Sequence, residues 1–237
     1  ILLLDHYVLK EDVHMDAAYD QSADWSYIMQ HQDDIPPSLL KLAMHNKETI
    51  PFVSHYLRQP QNLSLDLKTD LKSQEIPLLL QWDTRWGYRK YGDDFIAVNG
   101  CGPTCLSMVL SYLQNNASLN PYVIAKYAYQ KGYYTQAGTS WRLMDEGARC
   151  FGVNASQMPL NEDMIKQELE QHHPIICSVG PGIFTTEGHF IVLREYKNGL
   201  IYVNDPNSRQ HSQKGYRFDE IKNQIKNLWV YSKEKNR

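Results

Sequence analysis

The apolar pattern changes period part-way along the chain, and that change limits the fold more than any other feature. Over residues 102–114, Leu106, Met108, Val109, Leu110 and Leu113 recur with the spacing of a buried helix. Helical spacing continues over residues 121–130, over 140–151 with Gly152 as a stop signal, and over 161–171, where Asn161 is a good N-cap. The texture then becomes strand-like. Pro174-Ile175-Ile176-Cys177-Ser178-Val179 reads as a buried strand, residues 189–196 and 200–204 flank the Asn-Gly hairpin signal Lys197-Asn198-Gly199, and a closing strand is expected over 227–231. Helices followed by antiparallel strands predict an α+β fold, with a helical part packed on an antiparallel sheet and a cleft between them.

Upstream of this switch the organisation is looser. Residues 76–81 read as an extended apolar stretch, followed by a Trp/Tyr/Gly-rich loop reaching Gly100. Residues 1–74 look helical and irregular: Pro36-Pro37 precedes the Leu-rich run Ser38-Leu39-Leu40-Lys41-Leu42-Ala43-Met44, and a second apolar run follows at 50–56. Residues 59–75 are polar and aperiodic, so the boundary is expected near Ser73, between an N-terminal extension (1–74) and a main domain (75–237).

Charge and cysteine content exclude several function classes. A formal charge of −3 on 237 residues gives no electrostatic reason to expect nucleic acid as a partner. Residues 1–34 hold eight acids and one base, an asymmetry that reads as a solvated acidic face. Four cysteines are too few for a disulfide framework in a chain of this size. No stretch approaches the ~18 apolar residues of a membrane span. The chain opens on Ile1 rather than Met, so upstream sequence, including any signal peptide or lipid anchor, is expected to have been removed.

Cys101 opens the run Cys101-Gly102-Pro103-Thr104-Cys105 at the predicted start of the first helix of the main domain. There the unpaired first-turn amides and the positive end of the macrodipole favour a thiolate. A free thiol is only a few per cent ionised at neutral pH, so a cysteine nucleophile needs such a helix start, a neighbouring imidazole, or both. His189, in Gly188-His189-Phe190-Ile191-Val192-Leu193, is the candidate base, and Asp205, before Pro206, the candidate carboxylate that orients it. Asn204 is a rival for that orienting role. Gln81, ending the apolar stretch, is a candidate oxyanion donor together with the Cys101 backbone N–H.

Each of these residues also has an ordinary reading: a small buried thiol, a core histidine, a turn aspartate, a capping glutamine. Cys105, Cys150 and Cys177 lie inside apolar patterns and read as buried. A metal site built from Cys101, Cys105, His189 and Asp205 lacks the second close cysteine pair that structural zinc sites usually bring, and neither metal nor cofactor is expected. His172 and His173 end a predicted helix and read as structural. Residues 132–141, rich in Tyr, Thr and Gly, are the expected wall of the cleft.

The segments Gln81-Trp82-Asp83-Thr84-Arg85-Trp86-Gly87, Asn99-Gly100-Cys101-Gly102-Pro103-Thr104, Gly188-His189-Phe190-Ile191-Val192 and Asn204-Asp205-Pro206, in that order, resemble the peptidase C39-like family of papain-like cysteine peptidases. The resemblance spans roughly residues 76–231. It implies a papain-like α+β fold, Cys101 as nucleophile, His189 as general base and then acid, Asp205 as orienter and Gln81 as oxyanion donor. Cys105 stands where Ser or Ala is the commoner residue. The family also resembles the processing domains that cut leader peptides after paired glycines in bacterial exporters, which implies a bacterial protein that is secreted or attached to the cell surface. The expected activity is hydrolysis of peptide bonds in a peptide or protein substrate. Two alternatives keep the same residues: a cell-wall peptide amidohydrolase or transpeptidase, and a binding module that does not use the thiol.

Overall fold

The computed structural model describes residues 22–59 and 62–234. Most of the acidic segment 1–34 lies outside them. Three helices come first: α1 (Ser22–Gln30), α2 (Pro37–His45) and α3 (Ile50–Ser54). Pro37 starts α2 because its fixed φ suits the first helical position, where no N–H is needed. A short hairpin, β1 (Lys90–Tyr91) and β2 (Asp94–Phe95), leads through α4 (Ile96–Asn99) into the long helix α5 (Cys101–Gln114). There follow α6 (Pro121–Gln130), the hairpin β3 (Tyr134–Thr135) and β4 (Gly138–Thr139), and α7 (Glu146–Arg149). Strand β5 (Val153–Gln157), helix α8 (Glu162–Glu170) and strands β6 (Ile175–Val179), β7 (His189–Lys197) and β8 (Leu200–Asn204) come next. Helix α9 (Arg209–Ser212), β9 (Gly215–Tyr216), α10 (Phe218–Ile221) and β10 (Ile225–Lys233) end the described chain.

The main sheet has six strands in the order β5-β10-β6-β7-β8-β9, each neighbouring pair antiparallel. Because side chains alternate across a strand, the sheet buries both faces. Ile176, Phe190, Val192, Trp229 and Tyr231 face a core shared with Leu106, Val109 and Leu110 of α5 and Ile124 and Ala128 of α6. Ile175, Cys177, Ile191, Leu193 and Val203 face a second core closed by Ile165 and Leu169 of α8. A third core joins the N-terminal helices to the stretch before α5: Ile28, Leu39, Ala43, Ile50, Phe52 and Val53 pack with Leu80, Trp82, Phe95 and Ala97. Among the described residues no helix is long and apolar enough to cross a membrane.

The α+β architecture is the one expected, and α5, α6, α8, β6, β7, β8 and β10 lie where their patterns indicate. Asn161 caps α8 by accepting from Met164 N at 3.0 Å. Asn198 (φ 54°) and Gly199 (φ 77°) turn the β7–β8 hairpin through two left-handed residues, as its turn type requires.

Two expectations are corrected, and two features are new. The helix expected over 140–151 is a short 3-10 turn (Trp141–Leu143) followed by the four-residue α7. Asp145 interrupts it by taking the Glu146 N–H with its own carboxylate, a local bond that competes with the helical ladder. Cys150 is consequently exposed rather than buried, while Cys105 and Cys177 are buried as expected. Residues 76–81 join no sheet. They lie extended against the end of β8, where Gln81 N donates to Pro206 O at 2.8 Å. Finally, β5 has no counterpart in the sequence reading, because only Val153 and Ala155 of its five residues are buried.

Candidate active site

Cys101 begins α5, with Gly100 preceding it at the helix boundary, and its side chain remains partly exposed. The first turn of α5 packs tightly against the β3–β4 hairpin. A Cβ on Gly102 would stand 2.8 Å from the Thr139 side chain, so only glycine allows this approach. Thr139 also hydrogen-bonds the Tyr91 hydroxyl at 3.0 Å, and Asn99 Nδ2 donates to the Tyr134 hydroxyl at 3.2 Å. Burial, with the nearby Cys101 thiol contributing, pushes the Tyr91 phenol well above its ordinary range. The expected wall at 132–141 thus flanks the thiol through Tyr134 and Thr139. Trp141 instead stacks edge-on with Trp229, at 5.6 Å.

The sheet supplies the opposite side. His189 is the first residue of β7 and Asp205 directly follows the last residue of β8. Antiparallel pairing of these strands sets the start of one beside the end of the other. The two side chains are buried, and His189 Nε2 lies 2.7 Å from Asp205 Oδ1. With Nε2 engaged, Nδ1 is the other ring nitrogen, and the Cys101 thiol is near enough to the imidazole to help raise its pKa.

Asp205 is held from several directions. Its Oδ1 also accepts from Asn207 N at 2.8 Å, its Oδ2 accepts from His211 Nδ1 at 2.7 Å, and its own N–H donates to Ser212 Oγ at 2.9 Å. Asn204 points elsewhere: its Nδ2 donates to Ile76 O at 3.2 Å and Pro77 O at 3.1 Å. It fastens the extended 76–81 stretch to the sheet, and Asp205 alone of the two meets the imidazole.

Gln81 is also buried, and its amide is engaged by backbone carbonyls. Nε2 donates to Ala97 O at 2.7 Å and Val98 O at 3.4 Å, and the buried Oε1 has no hydrogen-bond partner among the described residues. His172 and His173 lie far along the chain at the end of α8; His173 Nδ1 pairs with Glu168 Oε2 at 2.7 Å. His211 escaped the sequence reading. Its signal is the spacing Asp205-x-x-Ser208-x-x-His211, in which Ser208 caps α9 by accepting from His211 N at 3.1 Å and so turns the imidazole back toward Asp205.

Electrostatics tie the pair together. Burial alone pushes the His189 imidazole down, but the charge and hydrogen bond of Asp205, with the Cys101 thiol behind them, raise its pKa to about 10. Burial likewise opposes ionisation of Asp205, yet His189, His211 and the Asn207 N–H outweigh it and hold the carboxyl at about 2. Linkage then defines a window. The Asp205 contribution is complete above 3.8 and is lost as pH falls through about 2. The His189 contribution is complete below 6.5 and is lost as pH rises through about 10. Wild-type protein is therefore expected to lose about 5–10 °C more in Tm between pH 6 and pH 10 than His189→Gln, the size of a broken buried pair. Parallel melting curves for the two proteins would contradict the assignment.

A cysteine at a helix start thus lies opposite a sheet that presents a buried His–Asp pair. The Peptidase_C39 like family matches residues 73–236. The chain belongs to this family. Among solved structures similar to it is one described as a C39-like peptidase from Bacillus anthracis, with 13% identity, a TM-score of 0.47, and coverage of 69% of this chain and 98% of that one. The peptidase domain of Streptococcus ComA, a bi-functional ABC transporter involved in a quorum-sensing pathway, is 18% identical with a TM-score of 0.42, covering 57% of this chain and 93% of that one. A double glycine motif protease from an AMS/PCAT transporter, solved in complex with its leader peptide, is 17% identical with a TM-score of 0.31, covering 54% and 84%. A search of the curated proteins gives no match. The C39 match begins beyond the N-terminal helices, which nevertheless share a core with residues 80–97.

Proposed function

We propose that the chain is a cysteine peptidase acting through Cys101, His189 and Asp205. The observation that supports this most strongly is the buried contact of 2.7 Å between His189 Nε2 and Asp205 Oδ1, which leaves Nδ1 for a thiol at the start of a helix. The carboxylate keeps the imidazole oriented and favours imidazolium, and imidazolium in turn favours the Cys101 thiolate. The thiolate adds to the peptide carbonyl, and the tetrahedral adduct expels the amine as His189 gives it a proton. Water, deprotonated by the same imidazole, then cleaves the thioester and restores the thiol.

The adduct's oxyanion needs donors. The Cys101 backbone N–H sits at the positive end of α5 and needs no rearrangement. Gln81 is the second donor in this reading, and its amide must first turn away from Ala97 O, which makes its contribution conditional on bound substrate. The β3–β4 hairpin forms the wall along which an extended peptide would lie.

Alkylation of the four cysteines by iodoacetamide, followed by mass spectrometry of the native protein, tests this without a substrate. Cys101 is expected to label first and to remain reactive at about pH 6, where a free thiol is mostly protonated. His189→Ala is expected to slow that labelling roughly a hundredfold. Cys105 and Cys177 serve as internal references, since burial pushes both thiols well above the ordinary range. An inert Cys101, or one unaffected by His189→Ala, would reject the peptidase reading in favour of a binding module.

A further inference from the structure

Asp205 meets two imidazoles, and the second one is built in from a distance. His211 Nδ1 lies 2.7 Å from Asp205 Oδ2, on the carboxylate oxygen that His189 does not use. The His211 ring stacks edge-on against Phe184 at 5.6 Å, and its carbonyl accepts from the Tyr216 hydroxyl at 3.0 Å. Its helix, α9, is in turn held by the N-terminal region. Glu48 Oε1 accepts from the Ser208 hydroxyl at 2.5 Å and from Gln210 N at 3.4 Å, and Oε2 accepts from Arg209 N at 2.8 Å. Beside it, Asn46 Nδ2 donates to Asn207 O at 2.6 Å.

We propose that His211 is a positioning residue for the reaction, and that Glu48 extends this positioning to the N-terminal helical region. The inference rests on the cysteine-peptidase reading of Cys101, His189 and Asp205. A carboxylate held through one oxygen can still rotate about its Cβ–Cγ bond, which carries that oxygen off the axis of the imidazole N–H. A second donor on the other oxygen stops the rotation and keeps Oδ1 aligned with His189. His211 does this by presenting a proton on Nδ1, the arrangement an acceptor oxygen selects. Glu48 satisfies the first amides of α9 and anchors Ser208, the residue whose hydroxyl caps His211 N, so a carboxylate from outside the main sheet fixes where His211 stands. The charged groups around this relay are Asp205, His189 and Glu48; Arg209 is turned over the Trp82 ring and Lys214 over the Tyr216 ring.

The relay makes the N-terminal helices part of the active site's support rather than a removable cover. It also separates orientation from fold, which gives the test its readout. The rate of Cys101 alkylation by iodoacetamide is measured across about pH 5 to 9 in the full chain, with Tm recorded for each variant. His211→Phe keeps a ring against Phe184 but removes the donor; its rate at about pH 6 is expected to fall about tenfold. His211→Asn places an amide N–H where Nδ1 stood and is expected to recover most of the loss. Glu48→Ala, remote from the thiol, is expected to shift the profile in the same direction by a smaller factor. A wild-type profile in folded His211→Phe, or an Asn variant no better than the Phe variant, overturns the positioning role. If His211→Phe does not fold, the profile of Glu48→Ala decides: an unshifted one overturns the relay. A wild-type protein whose Cys101 is unreactive at about pH 6 rejects the peptidase reading instead, so the two failures are distinct.

Discussion

Cys101→Ala is expected to abolish hydrolysis of every peptide the chain cuts, a loss of roughly 10⁵-fold or more, as for removal of a nucleophile elsewhere. Nothing nearby can replace the thiol. Cys105 lies one turn further along α5, is fully buried, and has its thiol pushed well above the ordinary range by that burial and by the neighbouring Cys101 charge. The alanine variant should fold normally, since Cys101 is partly exposed and contributes only its edge to the helix–sheet core. Turnover on a mixed peptide library, with Tm measured alongside, checks both halves of the expectation. Residual activity within about a hundredfold of wild type would mean that another group attacks the carbonyl.

Asp205→Asn is expected to lower turnover by roughly 10² to 10⁴-fold with little change in the overall fold. The aspartate accepts on both oxygens, from His189 and Asn207 on Oδ1 and from His211 on Oδ2. An asparagine has one oxygen and one NH₂ group, so in either orientation its NH₂ faces an imidazole nitrogen that now donates. One ring must change tautomer, and the negative charge that favours imidazolium at His189 is gone. The loss should lie in kcat, and Cys101 alkylation at about pH 6 should fall with it. Turnover within about threefold of wild type would show that orientation of His189 does not depend on this carboxylate.

The elements of the site were readable where local residues mark them. Gly100 before Cys101, Gly188 before His189 and Pro206 after Asp205 each punctuate the end of an element, and the period of the flanking residues says which kind. The choice between Asn204 and Asp205 was not readable, because successive strand residues point to opposite faces and only pairing with β7, with Asn204 opposite Val192, decides which one meets the histidine. His211 depends on a carboxylate six positions back and on Glu48 in a different part of the chain, contacts with no periodic signature. Gln81 was legible from the motif as a candidate donor, while the bond its amide makes to Ala97 O was not. The helix expected through Asp145 failed for a local reason, a side chain competing for the backbone. The third core went unread because its two halves, Ile28 to Val53 and Leu80 to Ala97, are joined by an aperiodic connector.

The order of the strands bears on when the sheet can close during synthesis. A ribosome makes the thiol first, then the imidazole, then the carboxylate, and last of all β10, which lies between β5 and β6 rather than at an edge. Until residue 233 has emerged, β5 has no neighbour to pair with, and the Trp229 and Tyr231 side chains that fill the space under α5 are missing. A chain that stops short of β10 therefore carries Cys101, His189 and Asp205 without the closed sheet that packs beneath them.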